Sequence, residues 1–245
     1  SALWSRFSAE AENNPDAWIS EAKTKTEISS AGPSNRMVSF PYPKLMNSNN
    51  SVDMSAAIIL CNIKKAKSLG IDQSKWVFPW VGTEANDKHF VSERENLYSS
   101  PAIRIAGRRA MELVGLSPDE IDLVDLYSCF PSAVQIAARE LGFSLDRPLT
   151  VTGGLTFGGG PLNNYVMHSI SRVVTLLRED RNKKGLITAN GGFLTKHSFG
   201  IYSAMPPIRD FQYENLQAEV DKMPTREMAA DYEGPATLES YTVMF

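Results

Sequence analysis

The sequence predicts an α/β layered domain, in which helices cover a mixed, largely parallel sheet. Apolar runs typical of buried strands alternate with amphipathic helical stripes over residues 51–203. Glycine, proline or asparagine separates most of these segments, as expected for the connections of such a fold. A chain of 245 residues is long enough to bury a full hydrophobic core.

The first half of this predicted domain contains two strands and two helices. The compact apolar run at 56–60 predicts a buried strand, and the stretch 62–69, which a glycine closes, predicts a short helix. Residues 75–81 predict an edge or bulged strand, because the proline in this run cannot donate to a sheet ladder. After a polar loop, an apolar stripe at helical spacing predicts a helix between Ser100 and Gly115.

The second half repeats the alternation. Residues 121–127 predict a strand that ends at a proline-containing break, and the apolar positions of 133–141 share one helical face. Residues 162–177 carry apolar side chains at spacings of three and four, which predicts a long helix with one buried face. Two further strands are predicted at 185–190 and 199–202. In such folds the working surface lies at the carboxyl ends of the strands.

A glycine-rich loop, Thr150–Pro161, precedes the longest predicted helix. Glycine permits positive φ angles and lets a ligand approach the backbone closely, and Pro161 suits the first turn of a helix. The loop is therefore expected to aim unpaired N–H groups at a polar or negative ligand. The alternative is an ordinary turn between a strand and a helix, whereas a dinucleotide site is disfavoured because the glycines lack the Gly-x-Gly-x-x-Gly order. The five glycines of this loop are Gly153, Gly154, Gly158, Gly159 and Gly160.

The composition disfavours several classes of function. A net charge of -3 and a pI near 5.7 weigh against a nucleic-acid surface. The two cysteines, Cys61 and Cys129, and the histidines at 89, 168 and 197 are too scattered to predict a metal site. So few cysteines favour a reducing compartment, and a cytoplasmic location is expected. Neither a membrane span nor a signal peptide is predicted.

The two ends of the chain are expected to lie outside the central domain. Residues 1–50 combine isolated apolar anchors with turn residues, which predicts an irregular arm over another surface. Residues 204–245 predict a linker and the start of a C-terminal extension. Because the chain begins at Ser1 and stops inside a strand-like run, Thr237–Phe245, we expect it to be a piece of a longer protein.

Four sequence blocks in a fixed order resemble the C-terminal half of a thiolase, specifically the sterol-carrier-protein type and related thiolase-like proteins. The block at 51–57 is similar to the family's Asp-Gly-Ala-Ala strand entry. Leu126–Phe130 lies where that type has His-Asp-Cys-Phe and ordinary thiolases have Asn-Glu-Ala-Phe. Gly153–Pro161 lies where the family has Gly-Gly followed by Gly-His-Pro, and Ala189–Gly192 where it has Cys-x-Gly-Gly.

This resemblance implies a thiolase-like layered domain at 51–203 and an acyl-CoA-handling function, such as acetyl-CoA acetyltransferase activity in lipid metabolism. Thiolases join or cleave acyl groups on coenzyme A with a nucleophilic cysteine, an acid/base and oxyanion holes. The nucleophile belongs to the N-terminal half of the fold. The implied partners are therefore acyl-CoA as substrate, with no further cofactor, and the missing half or another protomer, in a homo-oligomer.

The sequence departs from the family pattern at three functional positions. Gly160 replaces the histidine of Gly-His-Pro, Ala189 replaces the cysteine of Cys-x-Gly-Gly, and Tyr127 replaces the residue that anchors an oxyanion-hole water. Only Cys129 matches, at the cysteine of His-Asp-Cys-Phe. The resemblance thus implies an acyltransferase or a C–C bond-forming or bond-cleaving enzyme with a modified site. The alternative is a non-catalytic subunit that binds a CoA ligand or a partner protein.

Three side chains are the candidate catalytic groups. Cys129 takes the acid/base role of its family counterpart, and the helix start beside it is expected to favour the thiolate; the alternative is a small buried hydrophobe. Tyr127 can donate a hydrogen bond to an oxyanion. His197 could supply a base that Gly160 does not, although a structural histidine is the common alternative. The five loop glycines, Asn190 and Gly191 are the candidate substrate and CoA contacts.

Overall fold

A computed structural model describes all residues, 1–245, as seven strands and eight α-helices joined by short 3₁₀ turns. The strands are β1 (Met37–Ser39), β2 (Tyr42–Pro43), β3 (Phe78–Asn86), β4 (Leu123–Asp125), β5 (Lys184–Gly191), β6 (Lys196–Ser203) and β7 (Gln212–Asn215). The helices are α1 (Ala2–Glu12), α2 (Lys25–Ser29), α3 (Ile63–Ser68), α4 (Pro101–Leu113), α5 (Pro131–Leu141), α6 (Gly154–Phe157), α7 (Tyr165–Glu179) and α8 (Gln217–Val220).

A five-stranded mixed sheet with the order β4-β5-β6-β3-β7 forms the centre of the fold. The α/β layered prediction is confirmed. The pairs β4–β5 and β3–β7 are parallel, whereas β5–β6 and β6–β3 are antiparallel, so the parallel share is smaller than expected. The cause is the tight turn between β5 and β6: Gly192 adopts a positive φ of 68°, and Thr195 N–H bonds to Gly191 O at 3.1 Å.

Helices cover both faces of this sheet. The main core lies on the face where α4 and α5 pack against β3 and β6, around buried residues such as Ala106, Leu141 and Phe199. A smaller core joins α7 to β5 on the opposite face, through Val173, Leu177 and other buried residues. The single apolar stripes predicted for these helices correspond to these two layers.

The N-terminal segment differs from the irregular arm that the sequence predicts. Residues 2–12 form α1, and Trp4, Phe7 and Ala11 of this helix are at most 2% exposed. Their spacing of three and four residues places them on one helical face. The Trp4 indole N–H also donates to Thr156 Oγ1 at 3.0 Å. Helix α1 is therefore part of the main core and packs against the glycine-rich loop.

The apolar run at 56–60 also differs from its prediction as a buried strand. It has no regular secondary structure and pairs with no strand of the chain, and Ile59 and Leu60 are 89% and 80% exposed. The predicted short helix that follows is confirmed as α3, with the Asn62 side chain accepting from Lys65 N–H.

The C-terminal region contains more structure than the predicted linker. Strand β7 extends the sheet, since it pairs in parallel with β3, and α8 follows it. The strand-like tail returns to β1, where Phe40 N–H bonds to Val243 O at 2.8 Å and Phe245 N–H to Val38 O at 3.1 Å. None of the helices is both long and apolar enough to cross a membrane.

We predict that Phe7→Ala lowers the free energy of unfolding by about 3–5 kcal/mol, because it empties a buried ring site between α1 and the glycine loop. The matched control is Phe193→Ala, whose side chain is 79% exposed and whose loss is expected to cost about 0.5 kcal/mol or less. Urea unfolding of both variants measures the difference. Equal midpoints would show that α1 does not belong to the core.

Candidate functional site

The carboxyl ends of β4 and β5 bring three of the predicted site residues together. The Asn190 amide Nδ2 donates to Cys129 Sγ at 3.7 Å, and Tyr127 N–H donates to Thr188 Oγ1 at 2.8 Å. The antiparallel register of β5 and β6 places His197 opposite Asn190. This arrangement follows from the topology, because Cys129 and Asn190 end neighbouring parallel strands.

A small crevice lies between strands β5 and β6 and the helices α4 and α5. Its volume is about 10 Å³, which is room for about one water molecule. Tyr127, Asn190 and His197 line it together with apolar side chains of α4, α5 and β6. Asn190 Oδ1 is buried without a hydrogen-bond partner. The crevice is therefore a polar position inside an otherwise apolar layer.

His197 lies at the inner end of this crevice and is 4% exposed. Its Nε2 is 3.5 Å from Asp87 Oδ2, but the contact lacks hydrogen-bond geometry, so Nε2 is unpaired. The sequence did not predict Asp87 as a site residue, because it follows β3 directly in a polar stretch that resembles a loop. Gly191 lies at the end of β5, and its carbonyl oxygen accepts from Thr195 N–H in the turn before His197. Gly191 makes no hydrogen bond to Cys129.

The electrostatics of Cys129 differ from the sequence-based expectation. Burial raises the pKa of the Cys129 thiol to about 11, although N–H groups of Phe130 and Cys129 and the Asn190 amide favour the thiolate. The helix start does favour the thiolate through these N–H groups, as the sequence predicts, but desolvation is the larger effect and the net pKa is raised. Burial also raises the pKa of Tyr127, which keeps its hydroxyl protonated and able to donate.

The glycine-rich loop is folded in on itself. All five glycines are buried, and their N–H groups have partners within the chain. Gly153 and Gly154 donate to Thr150 Oγ1 at 3.1 and 3.0 Å, and Gly158 and Gly159 donate to Gly154 O. The prediction of unpaired N–H groups is wrong here, because a threonine hydroxyl and neighbouring carbonyl groups accept from them. Pro161 precedes a 3₁₀ turn, and α7 begins only at Tyr165.

The segment Asn47–Asn50 covers this loop on the side of Cys129. Gly160 N–H donates to Asn49 O at 2.9 Å, and Asn49 N–H donates to Leu155 O at 3.0 Å. The Ser48 hydroxyl donates to Cys129 O at 3.4 Å. A Cβ built at Gly160 would lie 3.2 Å from Asn49 O, tighter than ordinary van der Waals contact. A side chain at the position of Gly160 would therefore require the cover to shift by a few tenths of an ångström.

The carboxylate of Asp125 binds the glycine-rich loop, a role that no sequence motif predicts. Asp125 is fully buried in β4 and accepts five hydrogen bonds of 2.7–3.2 Å. Burial raises the pKa of Asp125 against the lowering effect of these donors. The donors are Thr150 Oγ1, Val151 N–H, Thr152 Oγ1, the Tyr165 hydroxyl and Ser169 Oγ.

A larger cavity lies beside α7, away from Cys129. Its volume is about 480 Å³, and Gly158, Gly159, His168 and Arg172 line it with the exposed segment 53–57. The Nε2 of His168 and the Nε of Arg172 are buried there without partners, and burial lowers the pKa of His168. No three His, Cys, Asp or Glu side chains lie together as metal ligands anywhere in the chain.

We predict that Asp125→Ala lowers the free energy of unfolding by at least about 3 kcal/mol. The substitution leaves several buried donors without an acceptor, at a cost of roughly 1–3 kcal/mol each. Hydrogen exchange at Gly153 and Gly154 should accelerate in the same variant, since Thr150 loses its anchor. The matched control is Asp146→Ala, an exposed carboxylate for which about 0.5 kcal/mol or less is expected. Similar urea midpoints for the two variants would rule out this role of Asp125.

We predict that alkylation of Cys129 by iodoacetamide accelerates about tenfold per pH unit from about pH 7 to about pH 10, because only the thiolate reacts and the pKa lies near 11. A Cys61→Ser background leaves Cys129 as the single thiol of the chain. The raised pKa means that the folded state holds this proton more tightly than the unfolded chain, so stability should fall as the pH rises from about 8.5 towards 11.

The control for this measurement is the same protein in concentrated urea, where the rate should level off near the ordinary thiol pKa of about 8.5. A plateau below about pH 9 in the folded protein would contradict the burial effect.

Several known proteins are similar to this chain in sequence. An acetyl-CoA acetyltransferase of Methanothermobacter thermautotrophicus is 26% identical over 207 residues, which cover 78% of this chain and 51% of the relative. An acetyl-CoA acetyltransferase of Methanocaldococcus jannaschii is 22% identical over 160 residues, covering 58% and 41%. The chain thus spans about half the length of the curated relatives it matches.

A family model described as thiolase C-terminal domain-like matches residues 83–147, which include β4 and α5. Among solved structures, the monomeric SCP2-thiolase-like protein type 1 of Mycobacterium smegmatis superposes with a TM-score of 0.87 and 32% identity. The superposition covers all of this chain and 54% of that protein. With the layered fold and the order of the four sequence blocks, these matches show that the chain belongs to the thiolase superfamily and contains the C-terminal part of its fold.

Proposed function

We propose that this chain supplies the C-terminal half of a site that handles acyl-CoA, in an acyltransferase or an enzyme that forms or cleaves C–C bonds on CoA thioesters. The observation that carries the proposal is the contact of 3.7 Å between Asn190 and Cys129, at the ends of two neighbouring strands of a thiolase-superfamily fold. Of the functional positions compared, only Cys129 matches, at the acid/base cysteine of the sterol-carrier-protein type of thiolase.

The chemistry of these side chains supports the proposal. Since the Cys129 thiol is protonated at neutral pH, it acts first as a proton donor. The Asn190 amide stabilises the thiolate that remains, as its hydrogen bond lowers the pKa of the thiol. Tyr127 keeps its hydroxyl proton and can donate to an enolate or alkoxide oxygen. These three groups could together protonate a carbanion and stabilise its oxyanion form.

The position of Gly160 argues against ordinary thiolase chemistry. No histidine is present there, and the Asn47–Asn50 cover lies in tight contact with this position. The loss of a single oxyanion-hole donor lowers kcat by roughly 10²–10³-fold. We therefore infer a modified reaction on a CoA thioester in place of the standard Claisen condensation.

A complete site requires a second half. The resemblance implies that the nucleophilic cysteine of the family lies in the N-terminal half, and this chain spans about half of its curated relatives. The segment at 56–60 exposes Ile59 and Leu60 and pairs with no strand of the chain. Apolar surface and free backbone groups of this kind suit a sheet edge contributed by an N-terminal half or another protomer. The Mycobacterium smegmatis neighbour is described as monomeric, so a homo-oligomer of this protein stays a prediction.

A non-catalytic role is the second candidate, and two observations favour it. The N–H groups of the glycine loop bond within the chain, and the Asn47–Asn50 cover closes over them. The Cys129 thiol is held in its neutral form by burial. Under this alternative, the protein binds a CoA ligand or a partner chain without turnover.

Calorimetric titration with acetyl-CoA and a longer acyl-CoA tests the proposal. The chain joined to an N-terminal thiolase half should bind both ligands, whereas the chain alone should bind neither, because the site is composite. Absence of binding by both forms would reject acyl-CoA as the ligand.

Turnover then separates the two candidates. In the joined protein, Cys129→Ala and Tyr127→Phe should each lower kcat by roughly 10²-fold or more. Cys61→Ala, an exposed thiol, is the matched control and should leave kcat unchanged. Acyl-CoA binding without turnover, or wild-type rates in both site variants, would favour the non-catalytic role.

A further inference from the structure

Asp87 is a buried carboxylate that no sequence motif identifies. It is 8% exposed and lies where β3 ends, before the loop that leads to α4. Its Oδ1 accepts from Ala102 N–H at 3.1 Å, and its Oδ2 accepts from the Ser100 hydroxyl. These bonds hold the carboxylate at the start of α4. The same Oδ2 faces the imidazole of His197.

The imidazole of His197 has two distinct surroundings. Nε2 is 3.5 Å from Asp87 Oδ2, and no other group pairs with it. The ring also forms part of the wall of the crevice that Tyr127 and Asn190 line. In a neutral imidazole one nitrogen carries the proton and the other accepts, and the neighbour of one nitrogen decides which is which.

We propose that Asp87 is a positioning residue that keeps the proton of neutral His197 on Nε2, so that Nδ1 presents its lone pair to the crevice. A carboxylate accepts but cannot donate, so a protonated Nε2 is the favoured neighbour of Asp87 Oδ2. The role of this lone pair as a base rests on the proposed acyl-CoA function. The tautomer itself does not depend on that function.

Arg94 is a charged neighbour of Asp87. The Arg94 guanidinium interacts with the Asp87 charge, and this partly offsets the lowering of the Arg94 pKa by burial. Arg94 also donates to Phe193 O at 2.7 Å and to Thr195 Oγ1 at 2.9 Å. Asp87 N–H in turn donates to Thr195 O at 2.8 Å. Arg94 and Asp87 therefore both bind the turn between β5 and β6, and these two strands contain Asn190 and His197.

The turn that Arg94 and Asp87 bind connects two parts of the site. A contact of 3.5 Å without hydrogen-bond geometry needs only a small ring movement to become a bond, and such contacts often tighten when a ligand binds. Asn190, in register with His197 across the hairpin, is bonded to Cys129. The crevice thereby has a proton acceptor at His197 on one side and the Asn190–Cys129 pair on the other.

A proton–nitrogen correlation spectrum of protein labelled with nitrogen-15 in histidine tests the tautomer directly. This chain has three histidines, so His197→Gln identifies the signals by their loss. In the neutral state we expect the proton on Nε2 of His197. In Asp87→Asn the population should shift towards protonated Nδ1, because an amide oxygen at the Oδ1 position still accepts from Ala102 N–H and the amide N–H group then lies at the Oδ2 position, which faces the ring.

Ser100→Ala is the matched control, because it removes a hydrogen bond to the same carboxylate and leaves the carboxylate in place. It should lower the melting temperature and retain the Nε2 tautomer. A proton on Nδ1 in the wild-type protein, or the same tautomer ratio in the wild type and Asp87→Asn, would overturn the proposal. If Asp87→Asn does not fold, the wild-type spectrum alone tests the proposal. Since the spectra contain no substrate, failure of acyl-CoA binding would leave this result unaffected.

Discussion

Five hydrogen bonds converge on the buried carboxylate of Asp125, and they tie strand β4 to both the glycine loop and helix α7. Thr150, which donates to Asp125, accepts in turn from Gly153 and Gly154. A buried carboxylate is tolerated only when its oxygens are satisfied, so the loop and the helix start depend on each other. The position of the loop relative to Cys129 follows from this network.

The same network explains why the loop offers no open anion site in this structure. Threonine hydroxyl and backbone carbonyl groups accept from its N–H groups, and the Asn47–Asn50 cover binds Gly160. Polar groups that are buried must find partners within the chain when no ligand supplies them. A ligand would have to replace the cover before it could contact the backbone at Gly160. This condition applies equally to a catalytic and to a non-catalytic role.

The mixed sheet places the remaining chemistry. Parallel pairing of β4 and β5 brings Cys129 beside Asn190, and the antiparallel hairpin that follows places His197 opposite Asn190. Helices lie on both faces of the sheet. Burial raises the pKa of the Cys129 thiol, and a polar contact in a partly buried layer is stronger than it would be in solvent. The site is thus a set of mostly neutral donors and acceptors in an apolar layer.

The sequence by itself determined the α/β class, the helices α3, α4 and α5 with their caps, and the order of blocks that places the chain in the thiolase superfamily. These features depend on neighbouring residues, through periodicity, capping and turn chemistry. Only the tertiary structure decided the five bonds of Asp125, the contact between Asp87 and His197, and the packing of α1. These contacts join residues far apart in the chain, and no local pattern distinguishes a carboxylate that a distant segment will bury from one that stays in water.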